Sequence, residues 1–390
     1  MDFTVTDDLA AQRDEARRWC EANVDPAWTH EQHETGTHHT MELHRRMARD
    51  GILGGGWPAE LGGTDVDPDL LRAIYRELVK LGLRMHAWST TYMILKTLND
   101  LGTDEQKREY IPPALRGELL IALGYTEPDS GSDVAAAKTT AVRDGDEWVI
   151  NGQKMFTSTA EVCSHVIVLT RTDPDAPKHR GLTMFLVPTS SAGYEIQPIH
   201  TLGNQRTNAT FYTDVRVPDS ARLAGAGDGW KVIRTALVYE RGAGMPFRPL
   251  AVGKHLASWA AATRRADGTR AFDDPQVAER IGRMETESEV AWLLAGRLAW
   301  MQQKGLVPGV EGSMCKLFRS EADQRHFRDA LDALGADGLL APSVPGAPLA
   351  GLFEQGYRAS IVETIYGGSS EIMREMIAEG RLGLPRNRAK

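Results

Sequence analysis

The chain has 390 residues, 42% hydrophobic and 25% charged, with a formal net charge of −8 and an isoelectric point near 5.8. That length exceeds what one hydrophobic core usually serves, so two or three structural units are expected, and the composition excludes the disordered and fibrous classes. Lys and Arg are interspersed with acids rather than massed, which argues against nucleic acid as a partner, and no apolar run approaches the ~20 residues that would make a membrane one.

The start, Met1 to Asp8, is acidic where a secretory leader would be basic, so no export signal is expected. Cys20, Cys163 and Cys315 are odd in number, far apart and without metal-like spacing. Neither a disulfide framework nor a metal site is therefore expected, and the expected location is a reducing cytoplasm.

From Thr6 to about Leu120 apolar residues recur at three- and four-residue spacing, as in Leu70, Leu71, Ile74, Tyr75, Leu78, Val79 and Leu81, which predicts helices. The glycines and proline of Gly54–Pro58, and Gly62-Gly63, predict a loop between them. Between about Ile121 and Arg222 the character changes to strand-like runs, Glu147–Ile150, His165–Leu169 and Leu182–Val187, separated by polar turns. After Val217-Pro218 and the glycine-rich Gly225–Gly229, helical periodicity returns across Val277–Met301 and Met314–Leu334. The fold class is α+β: an N-terminal helical domain (1–120), a middle β-barrel or sandwich-like domain (121–228) and a C-terminal helical bundle (229–390).

One loop carries chemistry. Gly124-Tyr-Thr-Glu-Pro-Asp-Ser-Gly-Ser-Asp-Val-Ala-Ala136 offers hydroxyls and backbone N–H groups to a flavin edge or a phosphate, although alone it also reads as a plain polar turn. This segment resembles the first signature of the acyl-CoA dehydrogenase family, departing at Tyr125, where a small aliphatic is usual. Asn151–Ser158 resembles the family's Asn-Gly-x-Lys-x-Trp strand, and Ile365–Ile372 with Ile377–Arg386 resembles its C-terminal tail. The matches run in order over nearly the full length.

The resemblance implies the acyl-CoA dehydrogenase fold with FAD as cofactor. It implies that Thr126 bonds the pyrimidine side of the isoalloxazine, that Ser132 sits near the pyrophosphate and the substrate, and that Ser158 donates to flavin N5. Phe156 stands where the family has a Trp flanking the ring, keeping an aromatic body and losing the indole donor. Tyr366 and Ser369 match positions at the flavin and the adenosine diphosphate, Ser369 reading equally as a helix N-cap; Tyr125, Gly131, Thr157 and Glu371 complete the cofactor set. Arg270 matches the arginine that grips the adenosine end from a neighbouring subunit in homotetrameric members, but here Asp273-Asp-Pro275 follows; Asp332–Gly338 likewise lacks the family's Gln.

Desaturating an acyl-CoA needs a carboxylate that takes the α-proton while a hydride leaves the β-carbon. Many members carry it in the C-terminal turn, which here reads Tyr366-Gly367-Gly368-Ser369. Isovaleryl-type and long-chain-type members instead use a Glu-Arg pair on the first helix after the β domain, and this chain has Glu240-Arg241 there. By resemblance Glu240 is the base, Arg241 holds the CoA part or orients the loop, and the Gly367 amide polarises the thioester carbonyl. Glu240 follows the apolar Ala236–Tyr239, so burial is expected to raise its pKa. The alternative is a solvated helix Glu.

Two glycines and two prolines in Arg241–Pro249 predict a kinked wall beside the base that admits a branched or ring-bearing acyl group, or only a structural kink. His86, Trp88, Tyr92 and Met93 fall on a helix of the kind that floors the family's acyl pocket, although such stripes are more often core. The implied pathway is fatty acid or sterol side-chain degradation, and the implied partners are an acyl-CoA, an electron-transferring flavoprotein, and further copies or a related subunit in a dimer, tetramer or heteromer. A same-fold flavin oxidase or monooxygenase, and a subunit of a heteromeric dehydrogenase, are the competing readings.

Overall fold

The structure is a computed structural model that describes residues 7–242, 251–306 and 308–385. Its contacts divide the chain into two compact units: one holds the described chain up to Gly242 except Leu202–Asn204, the other holds that tripeptide and the chain from residue 251 on.

In the first unit α1 (Asp7–Asn23), α2 (Ala27–Thr35), α3 (Met41–Arg49), α4 (Pro68–Lys80), α5 (His86–Leu101) and α6 (Asp104–Leu115) precede the strands. Local chemistry starts several of them. Asp67 caps α4 by accepting the Asp69 amide, with Pro68 pre-set in the first turn. Thr103 and Gln106 form a reciprocal capping box on α6, and the Gln106 amide then donates to the carbonyls of Ser220 and Arg222 at 2.7 and 2.9 Å, tying α6 to the far corner of the sheet.

The strands are β1 (Ile121–Gly124), β2 (Thr140–Asp144), β3 (Glu147–Lys154), β4 (His165–Arg171), β5 (Leu182–Pro188), β6 (Tyr194–His200), β7 (Arg206–Pro218) and β8 (Arg222–Leu223). They form one sheet in the order β6-β7-β3-β2-β4-β5-β8, with β1 parallel to β4 on the side. The register of β3 against β7 slips between Ile150 and Gly152. At the slip Gly152 has φ +148°, and a Cβ there would lie 2.6 Å from Thr139 Oγ1, so this turn of the Asn-Gly-Gln-Lys segment needs glycine. α7 (Gly229–Gly242) closes the unit, packing Val232, Ile233 and Ala236 against α5 and β5.

The second unit consists of α8 (Val252–Ala262), α9 (Pro275–Gln303), α10 (Glu311–Leu334), α11 (Leu352–Glu363) and α12 (Ser370–Gly380). Its core is Leu256, Ile281, Met284, Phe327, Ala330 and Phe353 with their neighbours. The architecture is thus helical, then β, then helical, and the strand and helix runs expected from periodicity are all present. Among the described residues no helix is long and apolar enough to cross a membrane, and no group of three or more His, Cys, Asp or Glu is placed to hold a metal ion.

One feature of the first unit is unusual for a core. The rings of His39 and His44 are tilted against each other with centroids 5.1 Å apart, His44 lies 5.4 Å from Trp88, and His38 meets His86 edge-on at 5.2 Å. Both ring nitrogens of His39 and His44, and Nδ1 of His38, are buried without a hydrogen-bond partner. Burial pulls His38 and His44 down to about 4 and His39 down to about 3. The folded state refuses protons that the unfolded chain accepts below about pH 6.5, so this contribution to stability is present above that value and is lost as pH falls toward 3. Thermal unfolding should show a lower Tm at pH 5 than at pH 7, with a shallower slope in His39→Asn; equal slopes in the two proteins would show that the cluster is not responsible.

Candidate active site

The loop after β1 is held by a buried ion pair. Lys154, at the end of β3 and 0% exposed, places its ammonium 2.7 Å from Glu127 Oε1 and 3.4 Å from the Tyr125 carbonyl. Glu127 also accepts the amides of Lys138 at 2.6 Å and Thr139 at 2.8 Å, so both of its oxygens are satisfied. Burial pushes the Glu127 carboxyl up, but the Lys154 ammonium and the two amides outweigh it and hold it below its ordinary value. Burial draws Lys154 down to about 8 against the pull of Glu127. Both residues stand inside the recognised sequence segments, yet sequence reasoning assigned them no role; two opposite charges in neighbouring motifs of a β domain were the available signal.

This pair fixes where the next residues point. The Met155 amide donates to the Thr126 carbonyl at 2.8 Å, joining the loop to the end of β3. Phe156 follows in the left-handed region, φ +58°, with 57% of its surface exposed. A non-glycine residue there costs energy, on the order of 1 kcal/mol, and such strain persists only where surrounding contacts impose it. Those contacts are the buried Thr157, whose amide donates to the Asn208 carbonyl at 2.8 Å and whose hydroxyl meets Thr210 at 3.2 Å, and Ser158, whose hydroxyl lies 3.0 Å from Thr207. Asn208 returns a bond to the Thr157 carbonyl at 3.0 Å and donates to Glu161 at 2.7 Å.

Tyr125 turns its hydroxyl inward, where it is buried without a hydrogen-bond partner. Burial raises its pKa, and the Glu240 carboxylate of α7 raises it further. Glu240 is half-buried, a more open setting than the apolar residues before it suggest, because Val238 faces outward and Tyr239 donates to Asp100 at 2.7 Å. Gly131 and Ser132 are exposed, and Asp133 beside them pairs with Lys178. The side chain of Arg241, and the kink expected across residues 243–249, lie outside the described residues.

Arg270 and the expected residues of the C-terminal turn belong to the second unit. Gly367 and Gly368 have φ +63° and +95°, a left-handed pair that turns the chain from α11 into α12, and Lys316 Nζ donates to the Gly368 carbonyl at 2.6 Å. Tyr366 is exposed at this turn. Ser369 caps α12, its hydroxyl taking the Ile372 amide at 3.4 Å, and Glu371 in the first turn is held below its ordinary value by its own amide and the Ser369 hydroxyl. Arg270 is exposed and bonded to Asp273 in its own turn at 2.7 Å. His86, Trp88, Tyr92 and Met93 lie on α5, with Trp88 and Met93 in the core and Tyr92 beside Trp57 under the Lys96 ammonium.

FAD fits this donor set. The uncovered face of Phe156 on strained backbone suits a stacked ring, and the hydroxyls of Thr126, Ser132 and Ser158 and the amides of an exposed loop suit polar edges and phosphate oxygens.

Comparison with known proteins covers most of the chain. Models of the acyl-CoA dehydrogenase N-terminal, middle and C-terminal domains match residues 6–118, 122–215 and 227–382. The chain is 36% identical over 349 residues to acyl-CoA dehydrogenase FadE26 of Mycobacterium tuberculosis, an alignment that spans 87% of each. Among solved structures it resembles the Tcur3481-Tcur3483 steroid ACAD at 34% identity and TM-score 0.90, covering 99% of this chain and 100% of that one. It resembles a chain of the ChsE4-ChsE5 complex of Mycobacterium tuberculosis equally, at 34% identity and TM-score 0.90 with both chains fully covered.

Replacing Glu127 by Gln leaves the buried Lys154 ammonium without its counter-charge, a change that costs about 3 kcal/mol in comparable pairs. Glu127→Gln should lower the chemical-denaturation midpoint accordingly and weaken FAD retention on gel filtration. An unfolding free energy within about 0.5 kcal/mol of wild type would show that the pair does not organise the loop.

Proposed function

Since the chain belongs to the acyl-CoA dehydrogenase family, whose members are FAD-dependent oxidoreductases acting on CH–CH bonds, we propose that Glu240 is the base that takes the α-proton of its acyl-CoA substrate. The observation that carries this reading is that Glu240 stands half-buried on α7, where its carboxylate adds to the burial that raises the Tyr125 pKa, one residue before Thr126, the expected flavin contact. The family's other location for a base is occupied by Gly367, which has no side chain to accept a proton.

FAD, when bound, supplies the acceptor at N5 for the hydride that leaves Cβ. Phe156 and Thr157 would flank the ring, Tyr125 and Thr126 would line its pyrimidine side, Ser158 would donate at the N5 edge, and Gly131 with Ser132 would attend the pyrophosphate and CoA. Arg241 binds the CoA part, the Gly367 amide donates to the thioester carbonyl and so acidifies Cα, and Tyr366, Ser369, Glu371 and Arg270 complete the cofactor contacts. The three-domain division at 1–120, 121–228 and 229–390 belongs to the same reading.

The substrate we infer is a bulky, ring-bearing acyl-CoA, and the assembly a dimer or tetramer that includes a related second chain. The support is that two of the similar solved structures are a steroid ACAD and the ChsE4-ChsE5 complex. The electron acceptor in this reading is an electron-transferring flavoprotein, and the compartment the cytoplasm; peroxide formed at the full turnover rate would mark an oxidase instead.

Glu240→Gln keeps the shape of the side chain and removes the proton acceptor. Anaerobic flavin reduction by a true substrate should slow by about 10²–10⁴, with acyl-CoA affinity little changed, because the CoA contacts are elsewhere. Reduction at the wild-type rate would assign the base to another carboxylate.

A further inference from the structure

The turn that carries Phe156 and Ser158 is strained at two places. Phe156 and Thr159 both sit at φ +58°, with Thr157 and Ser158 between them. A β-branched residue in the left-handed region is a sharper exception than a phenylalanine, and Thr159 is buried there. Two such residues persist only where contacts from outside the turn impose them. The Thr159 hydroxyl donates to the Ser158 carbonyl at 2.7 Å, a bond inside the turn that anchors it to nothing else.

Glu161, two residues on, is anchored on both sides. One carboxylate oxygen accepts the side-chain amide of Asn208 at 2.7 Å, and the other accepts the hydroxyl of Thr37 at 3.2 Å, from 124 residues earlier in the chain. Asn208 on β7 is buried with its side chain fully used: Nδ2 donates to Glu161 and, at 3.0 Å, to the Thr157 carbonyl, while Oδ1 accepts from Arg206 Nε at 3.3 Å. Thr37 belongs to the linker between α2 and α3, which is itself tied down. The Arg206 amide donates to the Gly36 carbonyl at 2.8 Å, and the His86 amide at the start of α5 donates to the His38 carbonyl at 2.9 Å. Bonds to an ionised carboxylate are roughly twice as strong as neutral ones, so Glu161 is a firm clamp between the linker and β7.

We propose that Glu161 is a positioning residue for the flavin: its carboxylate holds the Asn208 amide against the linker after α2, Asn208 holds the Thr157 carbonyl, and Phe156 and Ser158 on either side are thereby kept in the conformation that meets the ring. Glu161 acts through Asn208 and exchanges no proton with the substrate. The inference rests on the flavin contacts proposed for Phe156 and Ser158, but the hold of Glu161 on the turn does not.

Without the carboxylate one N–H of the buried Asn208 amide has no acceptor and the linker loses its bond to the turn. The strain at Phe156 and Thr159 then relaxes more readily, and the turn opens more often. Glutamine at 161 keeps both bonds, its oxygen accepting from Asn208 and its amide donating to the Thr37 oxygen, so it preserves the clamp without the charge.

The test compares FAD-loaded wild type, Glu161→Ala and Glu161→Gln by hydrogen–deuterium exchange of the peptide covering residues 155–163, by the flavin absorption band, and by anaerobic flavin reduction with an acyl-CoA that reduces wild type. Glu161→Ala should exchange this peptide about tenfold faster, shift the band and slow reduction about tenfold, whereas Glu161→Gln should stay within about threefold of wild type. In a Ser158→Ala background Glu161→Ala should slow reduction by much less, because a group that it positions is gone. Unchanged exchange in Glu161→Ala would overturn the hold on the turn. Faster exchange with an unchanged band and reduction rate would make Glu161 a merely structural residue and overturn its positioning of the flavin. If Glu161→Ala does not fold, Thr37→Val removes one of the two carboxylate bonds and should move the same readouts in the same direction, by less. Should wild type bind no FAD, or no acyl-CoA reduce it, the proposed function fails and the flavin part of this inference with it, while exchange in the purified protein still decides whether Glu161 holds the turn.

Discussion

The buried Glu127–Lys154 pair is the constraint on which the rest of the first unit's site depends. An isolated charge at that depth would be prohibitive, and the pair persists because Glu127 is saturated by one ammonium and two amides. Its contribution is geometric more than energetic. Swapping such a pair for packed apolar groups is often neutral for stability, but apolar groups would not fix the loop's register to within a hydrogen bond. Because Lys154 ends β3 and Glu127 opens the loop, a single contact sets the positions of Thr126, Met155 and, through the strand end, Phe156.

Phe156 shows what that fixing is used for. Left to itself a bulky residue avoids φ +58° and an apolar ring avoids water, yet here both conditions hold together. Thr157, Ser158, Thr207, Asn208 and Thr210 impose the conformation through a connected set of side-chain and backbone hydrogen bonds. In the reading proposed above, a flat aromatic cofactor laid on the ring would convert that exposure from a cost into a binding surface.

The second unit manages the same problem with charges. Its turn is built from two left-handed glycines, which leave the backbone free to approach a ligand but supply no stiffness of their own. Lys316 on the Gly368 carbonyl, the Ser369 cap and the Arg319–Glu363 contact add that stiffness from α10, α11 and α12. In each unit an ionic group on a neighbouring element holds a loop in place: the buried Glu127–Lys154 pair in the first, and Lys316 on the Gly368 carbonyl in the second.

Periodicity alone determined the helix–strand–helix order, because burying one face of each element imposes periods of 3.6 and 2 that are written locally in the chain. The segments around Thr126, Ser158 and Gly367 were legible for a related reason: turns that present backbone groups need glycine, serine and threonine at fixed offsets, and those offsets lie within a few residues. The role of Lys154 was not legible, because a lysine in a strand reads as solvated until another segment delivers Glu127 to it. Nor was the orphaned hydroxyl of Tyr125, the half-open setting of Glu240, or the meeting of Arg319 with Glu363. Each depends on which side chains the tertiary structure brings into the same low-dielectric volume, and electrostatic energies are decided by that distance and burial rather than by spacing along the chain.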